Sequence, residues 1–416
     1  DVYKRQDIYI VNTCSVTNIA DKKSRQMLHR ARKMNPDGIV IAAGCYVQSA
    51  REILEQDEAI DIVISNNKKK SITEIVNDYI NVRNNGKNAP GKDHEAMEYF
   101  VDISRETEYE EMGGHVPVGH TRAYVKIQDG CNQFCSYCII PYVRGRIRSR
   151  SQEAILAEVS ELAEAGIKEV VLTGIHISSY GKDKNNEGAL IELIEAISKI
   201  KGIKRIRLGS LEPGIITEEF VERISSNSKV CPHFHLSLQS GCDSVLKRMN
   251  RKYTCKQYFE KCDMLRKAYK SPALTTDVIV GFPGETEEEF AETVRYLTEL
   301  NLYEMHIFKY SPRKGTVAAA MKEQVAPEIK NERSDVLLKL AHDNKTAYEA
   351  QFEGCELEVL VEEVVKKNNK TYLRGHTERY MDILIDVGDI SMPESFVNSF
   401  VYVTYTQNGG NLPLLL

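Results

Sequence analysis

Cys131, Cys135 and Cys138 stand in the spacing C-x3-C-x2-C inside "DGCNQFCSYCIIPYVRGRIRSR", which runs from Asp129 to Arg150. Thiols grouped this closely are best read as metal or cluster ligands. A structural zinc site would take a fourth Cys or His nearby, yet the next histidine, His176, lies a full strand–helix unit away. Ferredoxin clusters take four cysteines. Three thiolates suit a [4Fe–4S] cluster whose fourth iron keeps an open position for a small ligand, with zinc or incidental grouping as the alternatives.

Two further cysteines sit at suggestive places. Cys14 ends the apolar run "IYIVNTC" and Cys45 ends "IVIAAGC". If both runs are parallel strands, both thiols lie at the carboxyl edge of one sheet, where open α/β folds place ligands. Small buried apolar residues are an equal reading, since free Cys is often core. Beside the triad, "YVRGRIRSR" holds Tyr142 with Arg144, Arg146, Arg148 and Arg150. If extended, its period of two puts all four guanidiniums on one face, fit for RNA phosphates or a cofactor carboxylate. The competing reading is a solvated charged loop. Cys231, Cys242, Cys255, Cys262 and Cys355 show no ligand spacing; Cys255 and Cys262 read as packing on one helix face.

The elements that must position these residues fall into three regions. Residues 1–85 alternate apolar strands ("DIYIVNTC", "IVIAAGC", "IDIVIS") with a helix stopped by Pro36 and Gly38, which predicts a parallel α/β domain. Residues 86–120 are polar and rich in Gly and Pro, a linker with a possible edge strand. Residues 121–345 alternate six strands with helices, a partial (βα)6 barrel short of the eight units of a full one. Ile155, Val159 and Leu162 recur at helical spacing, and Thr286 with Glu289 forms a capping-box pair. Chemistry in such folds sits on loops after the strands' carboxyl ends, where the cysteine loop falls. Residues 346–416 read as a small all-β barrel or sandwich whose Lys366, Lys367, Lys370, Arg374 and Arg379 suit RNA. The fold class is therefore α/β with a small carboxyl-terminal all-β domain.

Composition sets outer limits. Of 416 residues, 42% are hydrophobic and 28% charged, which is globular rather than disordered. The longest apolar runs fall short of a membrane helix, so no membrane partner is expected. A net charge of −5 does not mark a nucleic-acid binder in bulk, so RNA contact needs a local basic patch. Ten cysteines without a secretory signal point to reduced thiols and a cytoplasmic setting. The chain opens at Asp1 and enters a strand pattern almost at once, and "NLPLLL" ends it as abruptly, so a truncated start and end are expected.

The triad, with aromatic Tyr137 before its last cysteine, resembles the radical S-adenosylmethionine superfamily. The resemblance implies an open iron chelating S-adenosylmethionine, whose reductive cleavage yields a 5′-deoxyadenosyl radical, with Tyr137 meeting the adenine. "GCNQFCSYCIIPYVRGRIRSR", "LTGIHISSYG", "RLGSLEP", "HLSLQSG" and "DVIVGFPGET" narrow it to the methylthiotransferases. "CSYCIIPYVRGRIRSR" and "TGIHISSYG" look most like the branch acting on N6-threonylcarbamoyladenosine in tRNA, next to the anticodon. The first region resembles that family's amino-terminal domain, and the last its TRAM domain. The resemblance implies a second, auxiliary [4Fe–4S] cluster, with Cys14 and Cys45 matching two of its three cysteines and the first having no counterpart here. Asp277 sits on "DVIVGFPGET", which resembles the family's strand near the adenine, and reads as a cofactor contact or a core-edge charge; Gln239 and Glu212, at strand ends on the reactive face, are placed to touch the cofactor's ribose or amino group. The resemblance also implies an electron donor of flavodoxin or ferredoxin type and a sulfur source. The competing functions are methylthiolation of isopentenyladenosine or of a ribosomal protein, and a non-catalytic iron–sulfur RNA-binding protein.

Overall fold

The computed structural model describes the chain apart from residues 1–5, 16, 85–98, 115–118, 369, 389–391, 408 and 412–416. Two compact units result: Asp1–Gly113 with Asp129–Arg148 and Ser311–Met321, and Gly114–Gln128 with Ser149–Tyr310 and Lys322–Leu416.

The first unit is built on three parallel strands, β1 (Ile8–Thr13), β2 (Ile39–Gly44) and β3 (Ile62–Ile64), in that spatial order. Their connections carry α1 (Asn18–Met34), α2 (Cys45–Ser49) and α3 (Arg51–Glu55), and α4 (Ile72–Asn84) follows. β2 is buried at every residue, whereas edge strand β1 alternates exposed and buried. That is why "IVIAAG" is unbroken apolar sequence: Val40 and Ala42 pack toward Leu28 and Ala31 of α1, and Ile39, Ile41 and Ala43 toward Ile75, Val76 and Tyr79 of α4. Thr17 caps α1 by accepting from the Ala20 N–H, and the helix stops at Asn35, just before Pro36. Residues 86–98 and 115–118 of the expected linker lie outside the described residues; its described stretch 99–114 forms no strand. The cysteine loop, 129–148, also belongs to this unit and carries a one-turn helix, α5 (Ile140–Val143).

The second unit holds the six alternating strands: β4 (Arg122–Asp129), β6 (Glu169–Gly174), β7 (Arg205–Leu208), β8 (His233–His235), β9 (Ala273–Val280) and β10 (Glu304–Lys309), with β5 (Arg148–Ser149) a two-residue edge. They form parallel sheets β5-β4-β6-β7 and β10-β9-β8, joined by single bridges at Ile206–Val230 and Leu211–Leu236. The result is a curled, open half-barrel. Helices α6 (Gln152–Glu164), α7 (Ala189–Ser198), α8 (Glu218–Ser225), α9 (Asp243–Arg248), α10 (Cys255–Ala268), α11 (Glu287–Leu300) and α12 (Pro327–Ala350) alternate with and follow the strands. Ile155, Val159 and Leu162 are buried against Val125, Val170 and Leu172, as their spacing requires.

The expected capping box is present at α11: the Glu289 N–H donates to Thr286 Oγ1 and Glu289 Oε2 accepts from the Thr286 N–H at 3.0 Å. Glu289 also receives Arg248 and Ser244, and the Arg248 bond foremost lowers its carboxyl to about 2 from the usual 4.5. A carboxyl lowered in the folded state stabilises above pH 4.5, and that contribution is lost as pH falls from 4.5 toward 2. Glu289→Gln is therefore expected to lower the urea midpoint at pH 7 and to narrow its drop between pH 7 and pH 3. An unchanged drop in the variant would remove Glu289 from the acid response.

The carboxyl-terminal strands β11 (Glu356–Lys367), β12 (Lys370–Thr377), β13 (Asp382–Asp386), β14 (Phe400–Thr406) and β15 (Gly409–Asn411) close into a barrel in the order β11-β12-β13-β15-β14. This barrel sits on the amino-terminal ends of the half-barrel strands. Arg205 and Arg207, at the start of β7, reach the carbonyls of His376, Glu358, Glu378 and Thr377, and Glu169 lies buried between them. Arg379, expected to face RNA, instead donates to the carbonyls of Lys270 and Ser271, and Arg374 is held by Glu363 and Asp382. Lys366, Lys367 and Lys370 are exposed.

Candidate active site

In the first unit, the triad loop is closed by two glycines. Gly130 has φ +73°, and a Cβ there would sit 1.8 Å from the Arg146 carbonyl oxygen. Gly145 has the same φ and would strike the Ile103 carbonyl at 2.2 Å. Only glycine lets the two limbs of the loop approach so closely. The Cys131 N–H then donates to the Gly145 carbonyl at 3.0 Å, the Cys138 N–H to the Cys135 carbonyl at 2.9 Å, and the Ala318 N–H to the Ser136 carbonyl at 2.8 Å. Cys131 is buried, Cys135 and Cys138 are half-buried, and Tyr137 lies between them, also half-buried.

Cys45 belongs to the same unit. It opens α2 directly after Gly44, whose φ of +106° and tight contact with the Thr13 carbonyl exclude a side chain. Its Sγ accepts from Arg144 Nε at 3.0 Å, and it packs with Ile139 and Val143 from the triad loop. Asn66 Nδ2 donates to the Val143 carbonyl at 2.8 Å, and Arg144 Nη1 reaches Asp129 at 3.2 Å. Cys14 follows β1 next to the paired Thr13 and Gly44, and is exposed.

The expectation of an extended "YVRGRIRSR" with four arginines on one face is overturned. Pro141 starts the turn of helix α5, and the left-handed Gly145 then reverses the chain. Arg148 and Arg150 are buried; Arg150 pairs with Glu158, and Arg148 donates to the Arg146 carbonyl and Asn67. Arg144 is taken by Cys45 and Asp129. Only Arg146 remains exposed.

In the second unit, strand carboxyl ends carry a second polar group. His176 Nε2 meets Glu212 Oε2 at 2.6 Å, His176 Nδ1 meets Ser179 Oγ at 2.6 Å, and Arg251 Nη2 lies 3.0 Å from Glu212 Oε1. Burial alone would push the Glu212 carboxyl up; the bonds from His176 and Arg251 outweigh it and hold it below the usual range. Gln239 is buried with φ +75°, and its N–H donates to the Asp277 carbonyl at 2.9 Å. Asp277 Oδ2 is 3.3 Å from His235 Nε2, and His235, Asp277 and His306 bring their ligand atoms within 4.8 Å of one another on three adjacent strands. The sequence reading named Glu212, Gln239 and Asp277 but missed His176 and Arg251. His176 was inside a motif already singled out, "TGIHISSYG"; "RMNRKY" carried no spacing to mark Arg251. Cys231 and Cys262 have thiols pushed up to about 12 by burial, as packing residues should.

The donor set fits an iron–sulfur cluster. Soft thiols alone, on a loop braced by backbone bonds, select a cluster over a hard cation, and all ten cysteines are unpaired by disulfides.

Comparisons with known proteins agree with this geometry. The Radical SAM superfamily model matches residues 125–297, and that of Uncharacterized protein family UPF0004 matches residues 1–65. The structure of the radical S-adenosylmethionine methyltransferase TsrM from Kitasatospora setae, with cobalamin and a [4Fe–4S] cluster bound, shares the fold with a TM-score of 0.57 at 14% identity, covering 76% of this chain and 67% of that one. The half-barrel and its cysteine loop are thus those of a radical S-adenosylmethionine protein. The threonylcarbamoyladenosine tRNA methylthiotransferase MtaB of Bacillus subtilis is 39% identical over 385 residues, 92% of this chain and 83% of its own. The tRNA-2-methylthio-N(6)-dimethylallyladenosine synthase of Thermoanaerobacter pseudethanolicus is 35% identical over 414 residues, 97% of this chain and 83% of its own. The chain belongs to the MtaB methylthiotransferase family.

Proposed function

We propose that this protein is a tRNA-modifying transferase that adds a methylthio group to C2 of N6-threonylcarbamoyladenosine next to the anticodon. The observation that carries this reading is the packing of Cys45 against the triad loop, its sulfur 3.0 Å from Arg144 Nε, which puts both cysteine sets in one compact unit. A single-cluster radical enzyme would have no need of it. Cys131, Cys135 and Cys138 would hold a [4Fe–4S] cluster with an open iron, and Cys14 and Cys45 would contribute to an auxiliary one. Tyr137, Glu212, Gln239 and Asp277 serve S-adenosylmethionine in this reading, and Arg146 keeps the RNA contact first assigned to all four arginines. Bound together, cluster and S-adenosylmethionine supply a carbon radical, which the unactivated C–H bond at adenine C2 demands because no side-chain base can remove that hydrogen.

The residues present do the holding and positioning. Gly130 and Gly145 let the loop close, Arg144 holds the Cys45 sulfur in place, and His176 with Arg251 holds the Glu212 carboxyl below its usual range. The reaction also calls for a one-electron donor of flavodoxin or ferredoxin type and a sulfur source. The tRNA substrate and ten free thiols suit a cytoplasmic setting. No described helix is long and apolar enough to cross a membrane.

The test is to incubate anaerobically reconstituted protein with reductant, S-adenosylmethionine and tRNA bearing the threonylcarbamoyl nucleoside, and to weigh the digested nucleosides. A mass gain of one methylthio group supports the reading. A gain only on tRNA bearing dimethylallyladenosine would instead support the second reading that the Thermoanaerobacter relative favours. 5′-Deoxyadenosine without any modified nucleoside would keep the radical chemistry and discard the substrate.

A further inference from the structure

Two aromatic side chains of the triad loop, Phe134 and Tyr142, have no role in the reading so far, and they lie beside Arg146, whose RNA contact that reading leaves unspecified. Phe134, immediately before Cys135, has φ +49°, a left-handed backbone that costs a bulky residue energy and that the surrounding loop must impose. Its ring is met edge-on by Tyr142, with centroids 5.8 Å apart and planes at 84°, and the Arg146 guanidinium lies 4.7 Å from its centroid. Tyr142 is 50% exposed and Arg146 is exposed. Arg144, Arg148 and Arg150 all have protein partners, but among the described residues Arg146 has no carboxylate partner.

Simple packing would bury these rings and neutralise the cation. Instead the loop leaves the Tyr142 ring and a positive charge at its surface, with the half-buried Phe134 ring packed behind both, on the same segment as the cluster cysteines. An aromatic face with an arginine beside it is the recurring surface for unpaired bases, which stack on the ring while the cation meets the phosphate. A peptide partner would want an apolar pocket, whereas here an exposed ring stands beside an exposed cation. We infer that Phe134, Tyr142 and Arg146 form a stacking platform for one unpaired nucleobase of the RNA loop, the base flanking the modified adenosine, with Arg146 reaching that nucleotide's phosphate. This rests on the tRNA reading above.

The experiment measures binding of a fluorescently labelled anticodon stem–loop to the reconstituted protein, using the intact RNA and a series with one abasic nucleotide at each loop position. Wild type is expected to lose about tenfold in affinity at one flanking position, the scale of one stacked base. Tyr142→Leu and Arg146→Gln should each lose about as much on intact RNA, and Tyr142→Leu should lose nothing further at that abasic position. Tyr142→Phe, which keeps the ring, should bind as wild type does, and iron content should not change in any variant. Equal losses for wild type and Tyr142→Leu across the whole abasic series would overturn the platform while leaving RNA binding intact. Loss of iron together with affinity would make the rings packing for the cluster loop, and also overturn it. If wild type fails to bind the stem–loop at all, the RNA reading itself falls, and the platform with it.

Discussion

Alanine at Cys131, Cys135 or Cys138 is expected to abolish both 5′-deoxyadenosine formation and nucleoside modification, whereas alanine at Cys45 should abolish modification alone. The division follows from where the thiols sit. The triad cysteines share one loop, and their backbone is held by bonds that a side-chain deletion does not touch, from the Cys131 N–H to Gly145 and from the Cys138 N–H to Cys135. Each alanine variant should therefore keep its circular dichroism while losing about four irons per chain, the content of one [4Fe–4S] cluster. Cys45 lies at the end of a different strand and meets the loop at Arg144, Ile139, Ile140 and Val143. On the proposed reading its loss removes an auxiliary ligand but leaves three thiols on the loop, so reductive cleavage of S-adenosylmethionine should persist at a rate within about tenfold of wild type, the lower end of the effects seen for groups behind a metal ligand. The measurement is 5′-deoxyadenosine and modified nucleoside from one reaction mixture, quantified together. If Cys45→Ala also ends 5′-deoxyadenosine formation, the two sets of cysteines do not hold separate centres.

What the sequence disclosed tracks how local each signal is. The triad was legible because its ligands lie within one loop, and the capping box at Thr286 and Glu289 because it spans three residues. β2 was legible because a strand covered on both faces must be apolar throughout. The arginine stretch was misread for a reason also present in the sequence: Pro141 and Gly145, with only three residues between them, are punctuation that marks a turn and separates Arg144 from the other three arginines. The contact between Cys45 and Arg144 joins residues 99 positions apart, and no periodicity encodes it. The same is true of His176, Glu212 and Arg251, which arrive from two strand ends and from the turn between α9 and α10. "RIRL" offered no hint that all four of its residues would be buried, because what buries Arg205 and Arg207 is a barrel formed by residues 150 or more positions later.

That burial carries the second large expectation: Glu169→Ala should destabilise the protein by about 3–5 kcal/mol, the cost of leaving a buried charge without its partner. Glu169 is fully buried at the start of β6. Its Oε1 receives Arg207 Nε at 2.8 Å and its Oε2 receives Arg207 Nη2 at 3.3 Å. Burial alone would raise its carboxyl, but Arg207, and after it Arg205, hold it below the usual range, so it is a carboxylate in the folded protein. The two arginines are not equivalent. Arg205 has a second carboxylate, Glu358 of β11, at 2.9 Å, whereas Arg207 otherwise donates to the carbonyls of Glu378 and Thr377. Removing Glu169 thus leaves Arg207, buried beneath the Tyr380 ring at 4.8 Å, without a counter-charge. Replacing the pair together, Glu169→Leu with Arg207→Met, should recover most of the loss, because an apolar pair of similar volume carries no desolvation penalty. The urea midpoint of each variant checks this, and limited proteolysis adds a second readout. The carbonyls that Arg207 holds belong to the carboxyl-terminal barrel, so cleavage of Glu169→Ala should begin between α12 and β11, near Gly354, before the half-barrel is cut. A double variant as unstable as the single one would mean that shape at this junction, rather than charge pairing, holds the carboxyl-terminal barrel in place.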